Sequence, residues 1–302
     1  MSKYIVFEIK GGAGKNVMAT AVIKALKKQY PESKIIIITA WDDLWYNNPN
    51  VYKILKFAEL KYFYDDYIKD KDTKIMILNP YDTEDYIYNR KNLIQIWCEL
   101  NNIPYNNEQP ELFFTQREIN YVKNTIISKI NQPIFLIQPF GGSYEEGYSW
   151  ARDIPVNDAE KIVANYNKLG YKTFQIKGEK QILIKGAEGL TKPMREIAIM
   201  IMYSDKRLFI DSVGQHIAAA LGIPSSVCWV INTPKVFGYD IHDNILTDAE
   251  VVHHTTEKSY LQPYDITGKP QEFPFDTKSM FNVNEIIKSI DKDRAYDIQF
   301  EL

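Results

Sequence analysis

Little in this sequence points outward. Of its 302 residues only two are cysteines, Cys98 and Cys228. They are far apart, each within an apolar stretch, which predicts buried thiols rather than a disulfide or metal ligands and fits a reducing cytoplasm. No sign of charge dominates: 36 lysines and arginines against 39 aspartates and glutamates leave a formal net charge of −3. That balance gives no global attraction to nucleic acid, although a local basic groove remains compatible with it. No apolar run reaches the roughly 18 residues that span a bilayer. The chain opens on a strand-like segment rather than a signal-peptide pattern, which predicts a protein neither secreted nor inserted in a membrane. Repeats and low-complexity tracts are absent. With 45% hydrophobic and 25% charged residues, the composition is that of packed domains, and this length suits two medium α/β units better than one large one.

What is present is an alternation of strands and helices. Residues 4–9 (YIVFEI) are apolar and β-rich, and the glycines Gly11, Gly12 and Gly14 follow. Apolar residues then recur every four positions, at Val17/Met18, Ala21/Val22 and Ala25/Leu26, until Pro31. After this strand, loop and helix, the run 35–39 (IIIIT) reads as a parallel strand buried on both faces, completing a βαβ unit. Further strands are expected at 51–55 and 74–78 and helices over 90–101 and 116–130, with Asn131, Gln132 and Pro133 as the break.

A second series begins at 134–138 (IFLIQ). A capping box, Asn157 with Glu160, opens a helix that Gly170 closes. Strand 173–176, helix 194–203, strand 208–210, helix 214–221 and strand 226–230 follow, and beyond residue 240 the pattern weakens. A last capping box, Asn282 with Glu285, starts a helix around 283–290. The expected fold is α/β, with two Rossmann-like domains facing each other across a cleft. The expected boundaries are 1–130 and 131–281, with a C-terminal segment, 282–302, packing back on the first domain.

Two segments carry chemistry. Lys10 to Asn16 (KGGAGKN) invites a phosphate-binding P-loop reading, because glycines before a helix present N–H groups to an anion and a lysine neutralises it. In G-x-x-x-x-G-K-S/T, however, the first glycine falls at Ile9, and Asn16 replaces the magnesium-binding hydroxyl. A purely structural turn and a ligand-facing loop at Gly11, Gly12 and Gly14 remain as alternatives. The stronger segment is 211–224 (DSVGQHIAAALGIP). A strand ends at Ile210, a turn follows, and a helix begins whose N-terminal amides favour a diphosphate. Ser212 with Gln215 reads equally as an ordinary capping box. His216 lies in the first helical turn, at the C-terminal end of a parallel strand where such sheets bind ligands. The pair His253-His254 has no further ligand at metal-binding spacing.

These residues resemble the heptosyltransferases of glycosyltransferase family 9. Asp211, Ser212, His216, Ala218, Ala219, Ala220, Gly222 and Pro224 match the family's D-S/T-G-x-x-H-x-A-A-A-x-G-x-P segment. Val213 replaces its glycine, and Gly214 is shifted by one. The opening Gly14 to Lys27, Asn48-Pro49-Asn50-Val51, 93–104 (LIQIWCELNNIP) and Trp150 to Pro155 are similar to further family stretches in the same order. The resemblance implies a GT-B fold and metal-independent, cofactor-free, inverting transfer from a nucleotide-sugar donor. It places the donor on the second domain at Asp211, Ser212, Val213, Gly214, Gln215 and His216, and the acceptor on the first. The acceptor it implies is a glycan of the lipopolysaccharide type or another hydroxyl-bearing molecule; a modified nucleic-acid base is also conceivable.

Two departures bear on mechanism. Lys15, cationic at neutral pH, stands where the family has an aspartate that takes the acceptor's proton, and is expected to bind an anionic group. Glu8, ending the first strand, becomes the substitute base, its alternative being a structural carboxylate paired with Lys10 or Lys15. Tyr148 stands where the family has a phosphate-binding lysine, leaving Arg152 or Lys177 as replacements. The loop holding Tyr148 and Trp150 suits an aromatic lid or a plain surface loop. The rival readings are a P-loop ATPase built on Lys10 to Asn16 and a sugar-nucleotide-binding protein without catalysis.

Overall fold

The computed structural model describes residues 3–141, 152–247 and 280–292. The chain divides into two compact units, residues 1–115 and 116–302.

In the first unit, β1 (Tyr4–Ile9), β2 (Lys34–Thr39), β3 (Lys53–Lys56) and β4 (Thr73–Met76) form a parallel sheet in the order β3-β2-β1-β4. Side chains alternate along a strand, so Tyr4, Val6, Ile36 and Ile38 share one face, packed on Tyr67, Phe63 and Leu55. Ile5, Phe7, Ile35 and Ile37 fall on the other and are equally buried. This is why β1 and β2 read as unbroken apolar runs. Helix α1 (Ala13–Gln29) buries the Val17, Met18, Ala21, Val22, Ala25 and Leu26 repeat. After the short α2 (Glu84–Ile87), α3 (Leu93–Leu100) brings the Trp97 ring to 5.5 Å from that of Phe7.

The second unit starts with α4 (Gln116–Thr125) and continues through β5 (Ile134–Ile137), α5 (Val156–Lys168), β6 (Lys172–Ile176), β7 (Glu188–Leu190), α6 (Met194–Tyr203) and β8 (Lys206–Ile210). It continues with α7 (Val213–Ala220), β9 (Ser226–Trp229), α8 (Pro234–Phe237), β10 (Asp243–Leu246) and α9 (Val283–Asp291). The six strands among the described residues are parallel, in the order β10-β9-β8-β5-β6-β7. Counted from β5 as the first, this is the doubly wound Rossmann order, whose direction reverses between β5 and β8. The first unit reverses likewise between β1 and β4.

Several expectations are corrected. Helix α4, expected to close the first domain, belongs to the second unit: Arg195 of α6 donates to Glu118 through Nε at 2.6 Å and Nη2 at 2.9 Å, and Ile119 and Val122 are buried. Helix α9, expected against the first domain, is grouped with the second unit. Its Ile286 and Ile290 share the core of Phe135, Ile162 and Tyr166, and Tyr166 Oη donates to Asp291 at 2.8 Å. The Asn157–Glu160 box does not form, because α5 begins two residues early, behind Pro155. Asn282 does cap α9, accepting from Asn284 N at 3.1 Å. Cys98 and Cys228 are free and buried; burial pushes the Cys98 thiol up to about 12 and raises that of Cys228 as well. Among the described residues no helix is long and apolar enough to cross a membrane.

Candidate functional site

Parallel sheets bind ligands outside their carboxyl ends, where the strand order reverses. In the second unit that point is spanned by Gln138, the residue after β5. Its Nε2 donates to Ser212 Oγ at 3.2 Å and its Oε1 accepts the Gly214 N–H at 2.9 Å. The approach requires a glycine, since a Cβ at 214 would lie 2.6 Å from Gln138 Oε1 and 2.8 Å from the Phe209 ring. Ser212 is the N-cap of α7 but makes no side-chain cap, so the Ser212–Gln215 box does not form. The Gly214 amide, one of those expected to face a diphosphate, is therefore occupied from within. Sequence reasoning passed over Gln138, whose only local signal is a polar residue ending an apolar strand.

Arg152 reaches the same place from the segment before α5. It lies across Gly141, where a Cβ would fall 2.9 Å from Arg152 Cδ and 3.0 Å from Nη1. Gly141 is held by its N–H to Asp153 Oδ1 at 2.8 Å and by Gln181 Nε2 donating to its carbonyl at 2.5 Å. Burial pushes the Asp211 carboxyl above its ordinary range, against the opposing pull of the Arg152 charge and of hydrogen bonds from Asn232 and Gln215. His216 is 4% exposed, with Nδ1 2.9 Å from Tyr239 Oη. Burial, and then the positive charge of Arg152, pushes its pKa down to about 3. The imidazole is thus neutral at pH 7, and its Nε2 has no partner among the described residues. The Arg152 charge thus acts on both Asp211 and His216, and Ser212 is joined to Gln138.

Other expected residues are differently engaged. Gln215 is fully buried and braces α7, donating through Nε2 to Phe237 O at 3.1 Å, while its own carbonyl contacts His242 Nε2 at 2.9 Å. Val213 is buried in the first turn of α7. Lys177 follows β6 and donates to Glu179 O at 3.0 Å, on the side of β5 away from β8. Tyr148, Trp150 and the pair His253-His254 lie outside the described residues.

In the first unit the glycine turn leads into α1 without a P-loop's chemistry. Asn16 is fully buried: its Oδ1 accepts from Thr39 Oγ1 at 2.6 Å and Trp45 Nε1 at 3.2 Å, and its Nδ2 donates to Gly12 O at 3.1 Å. It is a core brace between α1 and β2, with no atom left for a magnesium ion. Lys15 reaches past the loop to the end of β4, where Nζ donates to Asn79 Oδ1 at 2.7 Å. Burial pushes its pKa down to about 8, partly opposed by the charge of Asp82. Glu8 is paired at 2.8 Å, with Lys10. Among the described residues no group of three or more histidines, cysteines or carboxylates is placed to hold a metal.

No family model matches the sequence, and no curated protein matches it significantly. Solved structures do match in fold. A family 9 glycosyl transferase from Veillonella parvula superposes with a TM-score of 0.66 at 12% identity, over 95% of this chain and 95% of that one. The ADP-heptose lipopolysaccharide heptosyltransferase II of E. coli gives 0.63 at 14% identity, over 86% of this chain and 99% of that one. The E. coli heptosyltransferase TibC, dodecameric and iron-containing, in complex with ADP-D-β-D-heptose, gives 0.63 at 13% identity, over 96% and 76%. The two-sheet α/β (GT-B) architecture expected from the sequence is the fold of these heptosyltransferase-like proteins.

Proposed function

We propose that this chain is a glycosyltransferase taking a nucleoside-diphosphate sugar at the β5–β8 reversal of its second unit and passing the sugar, with inversion, to a hydroxyl-bearing acceptor on its first. The observation that carries the reading is the convergence of Arg152, Asp211, Ser212 and His216 at that reversal, in a fold shared with a protein solved holding ADP-heptose. When the bond from sugar to phosphate breaks, charge develops on the departing diphosphate. The Arg152 guanidinium and the uncommitted first-turn amides of α7 would stabilise that charge where it forms. Arg152 thereby supplies the cation that a metal ion supplies elsewhere, so the transfer is metal-independent and needs no cofactor. His216, neutral, would donate one directed hydrogen bond without adding charge. Glu8 is assigned to accept the acceptor's proton, its partner Lys10 being 79% exposed and free to swing away. The acceptor is a glycan of the lipopolysaccharide type or another hydroxyl compound, and two free buried thiols fit a cytoplasmic setting.

Thermal-shift titration with ADP-, UDP- and GDP-sugars in EDTA, beside ATP with magnesium, tests the donor site. One metal-free diphosphate should stabilise the fold, and His216→Asn should weaken that binding by about 1–3 kcal/mol, the scale for losing a hydrogen bond to a charged group. Stabilisation only by ATP with magnesium would overturn the reading in favour of an ATPase. Donor binding without any glycosylated product would identify a binding protein instead.

A further inference from the structure

We propose that Lys15, Asn79 and the open N-terminus of α1 form a subsite for an anionic group, a carboxylate or phosphate, carried by the acceptor and distinct from the donor's diphosphate. The word acceptor rests on the function proposed above; the anion site itself does not.

Lys15 is 9% exposed, yet among the described residues no carboxylate lies within ion-pair distance of it. Its hydrogen-bond partner is the neutral Asn79, whose Nδ2 in turn donates to Asp82 Oδ1 at 3.2 Å. The amide is thus oriented with its oxygen on the ammonium and its N–H on a carboxylate, a polarity that favours the protonated lysine. The rings of Tyr81 and Trp97, with centroids 4.6 and 5.1 Å from Nζ, complete its surroundings. An ammonium donates three hydrogen bonds, and Asn79 takes one. A buried cation is unfavourable in the empty protein, the charge of Asp82 offsetting that cost only in part, and a bound anion would offset more of it. Lys15 remains largely cationic at neutral pH, its pKa lowered to about 8 by burial.

The helix end beside it is prepared for the same charge. Helical side chains run back toward the N-terminus, and the Lys15 stem does so, its Cδ 3.2 Å from where a Cβ on Gly11 would stand. Gly11 holds φ at +113°, and its carbonyl is fixed by Trp41 Nε1 at 3.1 Å. Gly12, the N-cap of this 17-residue helix, supplies no side-chain cap, the first turn contains no acidic residue, and the space where a Gly12 side chain would lie is open. Free amides, helix dipole and buried ammonium therefore meet at the β1–β4 reversal, the ligand-binding end of this sheet.

The test is a titration of the full chain with inorganic phosphate and, separately, acetate, followed by the NMR signal of the Lys15 ε-carbon and by tryptophan fluorescence. Saturable binding is expected, with the Lys15 titration midpoint moving above about 8 and affinity falling at least about tenfold between pH 7 and 9.5 as the ammonium is lost. Phosphate against acetate shows which anion the subsite prefers. Lys15→Met, or Lys15→Gln if the first does not fold, should abolish this binding, leave ADP affinity within about twofold, and raise acceptor KM. Equal phosphate binding by parent and variant, or a parent affinity that does not change with pH, would overturn the proposal. So would a Lys15 variant that loses ADP affinity and keeps acceptor KM. Lys15-dependent phosphate binding in a protein that binds no nucleotide would support the subsite and sink the transferase reading alone.

Discussion

Lys15 and His216 are both buried, and each titrates in a way that separates function from scaffold. The lysine binds its proton less tightly in the folded chain, at about 8 against 10.5. Between those values the unfolded chain holds the extra proton, so stability rises with pH there, and the cost of the charged lysine is fully present below pH 8. Lys15→Met should therefore melt higher than the parent at pH 7, with the gap closing above pH 10.5; a variant that melts lower at pH 7 would make Lys15 structural. For His216 the folded value is about 3 against 6.5. The unfolded chain protonates first as pH falls, so stability is lost from about pH 6.5 downward, and His216→Asn should lessen that acid sensitivity in circular-dichroism melts between pH 7 and 4. Asp211 and His216 were legible in the sequence because their motif is local. Gln138 was not, because its partner Ser212 is 74 residues away and only the β5–β8 pairing makes them neighbours.

At the level of elements, strands and helices that bury a continuous face announced themselves, and those that do not stayed silent. The uninterrupted apolar runs of β1, β2 and β5 and the four-residue repeat of α1 follow from burial on two faces. By contrast β10 (DNIL) is a half-buried edge strand and β7 (EGL) has three residues, too few to show a period. The Asn157–Glu160 pattern misled because Pro155 already sets the helix start, and the carboxylate of Asp158 is used to accept Met280 N at 3.1 Å. The junction of β8 and α7 is where packing is least forgiving. Gly214→Ala puts a methyl group into Phe209 and the Gln138 oxygen, and overpacking of this kind costs about 1–3 kcal/mol. A lowered denaturation midpoint with unchanged m-value is expected, together with weaker donor binding, since the same shift displaces Ser212 and the first turn of α7. Full retention of both would show that the strand–helix contact yields without consequence.

On the scale of the whole molecule, the sequence indicated two parallel-sheet units with a seam at residue 131, whereas the compact units divide at residue 116. The polar break at Asn131 to Pro133 is real as a turn, but chain breaks in composition do not say which unit a preceding helix joins. That is decided by pairing across sequence: Arg195, buried on α6, needs a carboxylate, and Glu118 on α4 supplies one in a two-point contact. Two fragments separate the alternatives. Residues 116–302 keep the pair, whereas residues 131–302 lose the Glu118 carboxylate and the buried Ile119 and Val122. Losing one partner of a fully buried pair costs about 3–5 kcal/mol, and less here because Glu118 is about a third exposed. Each buried aliphatic side chain contributes about 1.5–3 kcal/mol more. At about 2–4 °C per kcal/mol for a fragment of this size, the shorter piece should melt at least about 8 °C below the longer one. Replacing Arg195 by Met in the shorter piece should recover part of that loss, since it removes the buried charge that Glu118 no longer offsets while keeping the apolar stem. Equal melting temperatures for the two fragments would place α4 outside the second unit and return the seam to the break at residue 131.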